Sequence, residues 1–161
     1  MVFSVLTVSD RCSQGIYEDK SGKLLCELLK EHGTQGEYRI VPDEISEITD
    51  ALKFMADDIG SDVIFTTGGT GFAPRDITPE ATKSVIERET PGISEAIRYE
   101  SLKITPKAML SRAVSGIRGK TLIINLPGSP KAVKESLEAV LSVLPHAIET
   151  MSGNTQSCGG N

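Results

Sequence analysis

An α/β fold of three layers, with a mostly parallel sheet flanked by helices on both faces, is what this sequence predicts. Three observations carry that expectation. Short apolar runs of strand length alternate with stretches whose apolar residues recur at helical spacing. Most of the runs, Val2 to Val8, Val63 to Thr66 and the stretch ending at Leu126, read as strands buried on both faces. Loops bearing glycine, proline or capping residues separate the two kinds of segment. At 161 residues the chain has the length of one ordinary domain. Residues 1–151 are expected to form it.

The elements follow in order. Val2 to Val8 is a β-branched apolar run that stops at the polar stretch Ser9 to Gly15, read as a loop. Asp19 or Ser21 then caps a helix carrying Leu24, Leu25, Leu28 and Leu29, which Gly33 stops. Tyr38 to Val41 reads as the next strand, and Ile45, Ile48, Leu52 and Met55 line a helix ending near Gly60. Val63 to Thr66 gives a short buried strand, Gly68 to Arg75 a glycine-rich loop, and Thr78-Pro79 a helix start. A helix over Ile93 to Leu102 follows, interrupted by Thr105-Pro106. Residues 113–126 read as two paired extended stretches. A last helix begins at Ser129-Pro130 and places Val133, Leu137, Val140, Leu141 and Leu144 on one face. Pro145 kinks or ends it before a further turn to Met151. Residues 152–161 carry no packing stripe and are expected to form a flexible tail.

Composition removes several function classes. The 17 basic against 22 acidic residues leave a net charge of −5, which argues against a general nucleic-acid binder. No apolar run approaches the roughly 20 residues of a membrane span, and Met1 leads straight into the first strand without a signal-like segment. A cytoplasmic protein is expected. Cys12, Cys26 and Cys158 are odd in number and lack CxxC spacing, which fits reduced thiols. With His32 and His146 alone, a histidine zinc site or a Ser-His-Asp triad has almost no material. Any chemistry must rest on carboxylates, hydroxyls, lysines, arginines or backbone.

In a parallel α/β sheet, ligands bind beyond the carboxyl ends of the strands, so the loops after Val8, Val41, Thr66 and Leu126 should share one face. Thr67-Gly68-Gly69-Thr70-Gly71 lets backbone N–H groups approach an anion, yet it is neither the nucleotide phosphate loop nor the dinucleotide fingerprint. A plain tight turn is the alternative. Asn125-Leu126-Pro127-Gly128-Ser129-Pro130-Lys131 also runs from a buried strand into a helix start, where Ser129 can cap. Lys131 and Lys134 there oppose the helix dipole, a broken local rule that suits arriving phosphates. Asp43 and Asp76 lie on the same predicted face and could hold Mg²⁺ between phosphates. Asp43 could equally cap the next helix, and Asp76 could close an Asx turn. The opening loop, Ser9-Asp10-Arg11-Cys12-Ser13-Gln14-Gly15 followed by Asp19-Lys20-Ser21-Gly22, adds hydroxyls and acids to that face.

Taken together, TVSDRCSQGIYEDKSG, VPDE, TTGGTGFAPRDITPEAT and LSRAVSGIRGKTLIINLPGSPKAVKE resemble the molybdopterin adenylyltransferase family of molybdenum-cofactor synthesis, related to the G domain of gephyrin. The resemblance runs over nearly the whole chain, from about Thr7 to Glu135 and on toward Met151. It implies a molybdopterin-binding α/β domain, commonly a homotrimer, that transfers AMP from Mg-ATP to the terminal phosphate of molybdopterin and releases pyrophosphate. The product would pass to a downstream molybdate-inserting enzyme. Asp43 and Asp76 match the family's active-site carboxylates, with Mg²⁺ placed on Asp76. Substrate contacts are implied for Ser9, Asp10, Ser13, Asp19, Ser21, Gly68, Gly69, Thr70, Gly71, Arg75, Ser111, Arg112, Asn125, Pro127, Gly128, Ser129 and Lys131. A MoaB-like or non-catalytic binding or scaffolding module of the same fold is the alternative.

Overall fold

The computed structural model describes residues 1–153. Six strands form one sheet in the order β2-β1-β3-β6-β5-β4. β1 (Val2–Val8), β2 (Thr34–Val41), β3 (Val63–Thr67) and β6 (Thr121–Leu126) run parallel, while at one edge β5 (Ser115–Arg118) pairs antiparallel with β6 and β4 (Arg88–Glu89) antiparallel with β5. Among these, β3 and β6 are buried at every position, as their central apolar runs Val63 to Phe65 and Leu122 to Ile124 require.

The sheet sorts its side chains by parity. Phe3, Val5, Phe65, Leu122 and Ile124 face α2 (Lys20–Leu29), α5 (Pro91–Leu102), α6 (Pro130–Leu141) and α7 (Leu144–Met151). Leu6, Val8, Ile64 and Ile123 face α3 (Ile45–Lys53) and α4 (Thr78–Val85). Two cores on opposite faces make the expected three layers. Each fully buried Leu, Ile or Phe contributes about 1.5–3 kcal/mol by leaving water, so neither face can be stripped without loss of the sheet.

Several boundaries differ from the sequence reading, each for a physical reason. Within the expected loop Ser9 to Gly15 lies a four-residue helix, α1 (Asp10–Ser13), whose N-cap Ser9 accepts the Cys12 N–H at 3.3 Å. β2 starts at Thr34 rather than Tyr38, because it is an edge strand whose first residues are exposed and polar. After α3 the chain tightens into a π-helical turn, Phe54–Asp58, before Gly60. Ile77, not Thr78, is the N-cap of α4. The Pro145 break falls earlier than Pro145 itself: α6 ends at Leu141, the residue whose carbonyl a continuous helix would press against that proline ring, and Pro145 sits in the first turn of α7. Ser152 and Gly153 complete a turn after α7, and the rest of the expected tail lies outside the described residues.

Parallel pairing brings the carboxyl ends of β2, β1, β3 and β6 to one edge. Val8 pairs with Val41, Thr7 with Thr67, and Thr67 with Leu126. The four loops singled out above therefore do share one face.

Candidate active site

Those loops enclose a cleft of about 380 Å³, floored by the ends of β1 and β3, where successive crossovers leave toward opposite sides of the sheet. Its wall is the glycine loop. Gly68 and Gly69 have φ of +99° and +63°, and a Cβ on Gly68 would strike the Val8 carbonyl, so only glycine lets the loop lie this close to β1. Side-chain hydroxyls absorb the loop carbonyls. Thr78 donates to Gly68 O at 2.9 Å, Thr67 to Pro127 O at 2.8 Å and Ser21 to Gly128 O at 2.8 Å. These bonds tie the glycine loop to α4, and the Pro127-Gly128 turn to β3 and α2.

Both acids reach the cleft from separate loops. Asp43 Oδ2 accepts the Asp10 N–H at 2.8 Å, and Asp10 Oδ1 accepts the Asp43 N–H at 3.0 Å. Glu44, not Asp43, is the N-cap residue of α3, so the Asp43 carboxylate is not spent on capping. Asp76 Oδ2 accepts the Ala73 N–H at 2.9 Å and closes its own loop rather than the α4 terminus. Both carboxylates lean on the glycine loop: a Cβ on Gly69 would lie 3.2 Å from Asp43 Oδ1, and one on Gly71 2.8 Å from Asp76 Oδ2. Burial pushes the Asp43 carboxyl above its ordinary range, against the Asp10 N–H, which favours the charged form. Arg75 holds Asp10 below its usual range.

Ser9, Asp19, Ser21, Asp43, Asp76 and Gly128 all line this cleft, together with Gly68 and Gly69. Asp19 is buried at its base, where its carboxylate caps α2 through the Gly22 N–H and accepts the hydroxyls of Thr7 and Tyr38. Thr70, Gly71, Ser111 and Pro127 border a second, more apolar hollow of about 260 Å³ beside Ile97 and Ala108. The remaining residues are otherwise engaged. Asn125 is fully buried and spends its amide on Thr66, Thr82 and the Val114 N–H, so its side chain lies in the core rather than in the cleft. Arg112 donates to Gly71 O at 2.7 Å and also bonds Glu80 and Asp76 O, which makes it a strut behind the glycine loop. Arg75 is held by Asp10 at 2.6 Å, Glu44 at 2.7 Å and Asp43 O at 2.9 Å. Ser129 caps α6, Ser13 donates to Asp10 O, and Lys131 extends into solvent 3.9 Å from Glu135.

Residues 4–146 match the family described as "Probable molybdopterin binding domain". The chain belongs to this family. It is 50% identical over 153 residues to the molybdopterin adenylyltransferase of Helicobacter pylori strain J99, covering 93% of this chain and 87% of that protein. The Escherichia coli K12 molybdopterin adenylyltransferase is 45% identical over 139 residues, covering 84% and 71%. A crystal structure of the molybdopterin biosynthesis enzyme MoaB from Thermus thermophilus superposes with a TM-score of 0.89 at 49% identity, covering 94% of this chain and 96% of that one.

In this member of the molybdopterin-binding family, the cleft residues that the sequence did not assign as contacts include Arg11, Tyr17 and Lys20. Arg11 stands on α1, with its guanidinium carbon 4.3 Å from the centre of the Tyr17 ring. Lys20 is the first residue of α2, whose first turn carries no acid. A cation there opposes the helix dipole, the same signal that drew attention to Lys131. Applied to α2 it would have found Lys20.

Proposed function

We propose that this chain is a molybdopterin adenylyltransferase, one domain over residues 1–151 acting as a cytoplasmic homotrimer. It binds molybdopterin and Mg-ATP, transfers AMP to the terminal phosphate of molybdopterin, and hands the product to a molybdate-inserting enzyme. One observation carries the reading: two carboxylates from loops of different strands converge on a glycine loop at the carboxyl edge of a parallel sheet. The names of the relatives at 45–50% identity support it.

Adenylyl transfer needs positioning and charge neutralisation more than a nucleophilic side chain. A terminal phosphate oxygen is already ionised at neutral pH, so no strong base is required, which suits a sequence with two histidines. Exposed N–H groups of the glycine loop can meet phosphate oxygens. The acids fit a hard divalent cation. Asp43 and Asp76 each engage only Oδ2 in hydrogen bonds within the described residues, leaving Oδ1 available. No group of three or more metal-ligating side chains gathers among those residues, so the other ligands would be phosphate and water, as Mg²⁺ prefers. Asp76, with Asp43 beside it, would hold Mg²⁺, which when bound neutralises phosphate charge.

The test is to incubate purified protein with molybdopterin, ATP and Mg²⁺ and to measure pyrophosphate and AMP-bearing molybdopterin. Stoichiometric appearance of both is expected. A folded protein that binds molybdopterin but forms neither would overturn the enzyme reading in favour of a binding module.

A further inference from the structure

The cleft is rich in acid. Asp43, Asp76, Asp19 and Glu18 line it, and a polyphosphate would be repelled unless uncommitted positive charge stood beside them. Most cations nearby are already engaged. Arg75 is paired with Asp10 and Glu44 and also bonds Asp43 O, Arg112 is paired with Glu80 and also bonds Gly71 O and Asp76 O, and Lys23 pairs with Glu18 at 2.8 Å. Two remain. Among the described residues Arg11 and Lys20 form no ion pair, and both line the cleft. Arg11 stacks on Tyr17, an aromatic face that holds a guanidinium in place without neutralising it.

We propose that Arg11 and Lys20 are the catalytic cations that bind the polyphosphate of the nucleotide and receive the departing pyrophosphate, with Tyr17 as the residue that positions Arg11. This rests on the adenylyl-transfer reading above. In that step an ionised oxygen of the molybdopterin terminal phosphate forms a bond to the α-phosphorus. The bond from that phosphorus to the bridging oxygen breaks, and its electron pair leaves on pyrophosphate. No proton has to move. The charge gained by the leaving group is met by Arg11, whose planar fork suits two phosphate oxygens, and by the compact ammonium of Lys20. The assignment also accounts for the absence of acids from the first turn of α2, where Lys20 stands.

The test measures binding of Mg-pyrophosphate by calorimetry, and KM for ATP and kcat for transfer, in Arg11→Ala, Lys20→Ala, Arg11→Lys and Tyr17→Leu. Loss of one charge-assisted contact should weaken pyrophosphate binding and lower kcat/KM about 10- to 100-fold in each alanine variant. Arg11→Lys should recover part of that loss. Tyr17→Leu should raise KM for ATP more than it lowers kcat, and Tyr17→Phe, which keeps the ring, should restore it. Melting temperatures should stay near wild type, since neither cation is buried or paired. Wild-type turnover combined with unchanged pyrophosphate affinity in both alanine variants would overturn the assignment and leave the enzyme reading intact. Wild-type protein that transfers no AMP yet binds pyrophosphate through Arg11 and Lys20 would retain the anion site and overturn the enzyme reading. Wild-type protein with no pyrophosphate affinity would overturn the assignment outright.

Discussion

Asp10 and Asp43 accept each other's backbone N–H groups, at 2.8 and 3.0 Å, and so lock the loop after β1 to the loop after β2. The exchange uses one oxygen of Asp43 and leaves the other against Gly69. Asp43→Asn and Asp76→Asn keep size and most hydrogen-bonding capacity while removing charge. Adenylyl transfer should fall by about 100-fold or more in each, because electrostatic stabilisation of phosphoryl transfer is worth several kcal/mol. Molybdopterin binding and melting temperature should hold. Near-normal turnover in both variants would remove the pair from the active site, and lost stability alongside lost turnover would make it structural.

Arg75 extends the lock to a third loop. It reaches from the glycine-loop segment to Asp10, Glu44 and the Asp43 carbonyl, although its side chain is 56% exposed. Exposed ion pairs contribute about 0–1 kcal/mol, so Arg75→Ala should shift the melting temperature by only a few degrees. Its effect on geometry should be larger. Turnover should drop about tenfold, since small misplacement of reacting groups is costly, and amide exchange over residues 68–76 should quicken. Unchanged exchange with unchanged turnover would make Arg75 a surface residue only.

Much of this architecture was legible because burial leaves a pattern. Val63 to Phe65 and Leu122 to Ile124 are apolar without interruption because both faces of β3 and β6 are covered. Thr34 to Glu37 give no strand signal because an edge strand needs no apolar run. The glycine loop and both acids stand out in the sequence because positive φ and ligand chemistry restrict residue type, and the fold gathers them at one cleft. What no spacing reveals is which charge is already spent. The resemblance implies Arg75 and Arg112 as substrate contacts, and only the fold brings Asp10, Glu44 and Glu80 to them. Asn125, also implied as a contact by the resemblance, has its side chain held in the core by Thr66 and Thr82, partners far from it in sequence.

Tyr99, Ile104, Met109 and Leu110 expose apolar surface on and after α5. If the protein is the proposed trimer, light scattering should return about 52 kDa, three times 17.2 kDa. Ile104→Asp with Met109→Asp should lower that mass if this strip is the contact. A wild-type monomer at micromolar concentration would refute the trimer.

Alkaline stability should carry the mark of one thiol. Burial pushes the Cys26 thiol from 9.0 up to about 11, and the Asp19 charge adds to the shift. Folded protein then keeps a proton that unfolded chains release above about pH 9, so stability falls as pH rises from there. The loss should reach roughly 2 kcal/mol by pH 11. Denaturant melts between pH 8 and 11 on wild type and Cys26→Ala would measure it. The variant should lose less over that range, whatever its stability at pH 8, and equal slopes would assign the decline to other groups.

Gly69 and Gly119 allow strain to be separated from crowding. Their φ values are similar, +63° and +54°, yet a Cβ on Gly119 meets nothing within 4 Å, whereas one on Gly69 would strike the Thr78 hydroxyl. Gly119→Ala should therefore show the left-handed penalty alone, about 1–2 kcal/mol. Gly69→Ala should cost more than that. Thr78 must give way and loosen its 2.9 Å bond to Gly68 O, so folding is not spared as an anion-loop reading alone would suggest. The displaced loop also moves its N–H groups, and pyrophosphate affinity should fall in Gly69→Ala while Gly119→Ala, on the β5–β6 turn, leaves it unchanged. Chemical denaturation and calorimetry on the two variants decide the matter. Equal destabilisation would show that the Thr78 contact is soft, and undiminished pyrophosphate binding in a folded Gly69→Ala protein would reduce the glycine loop to a structural turn.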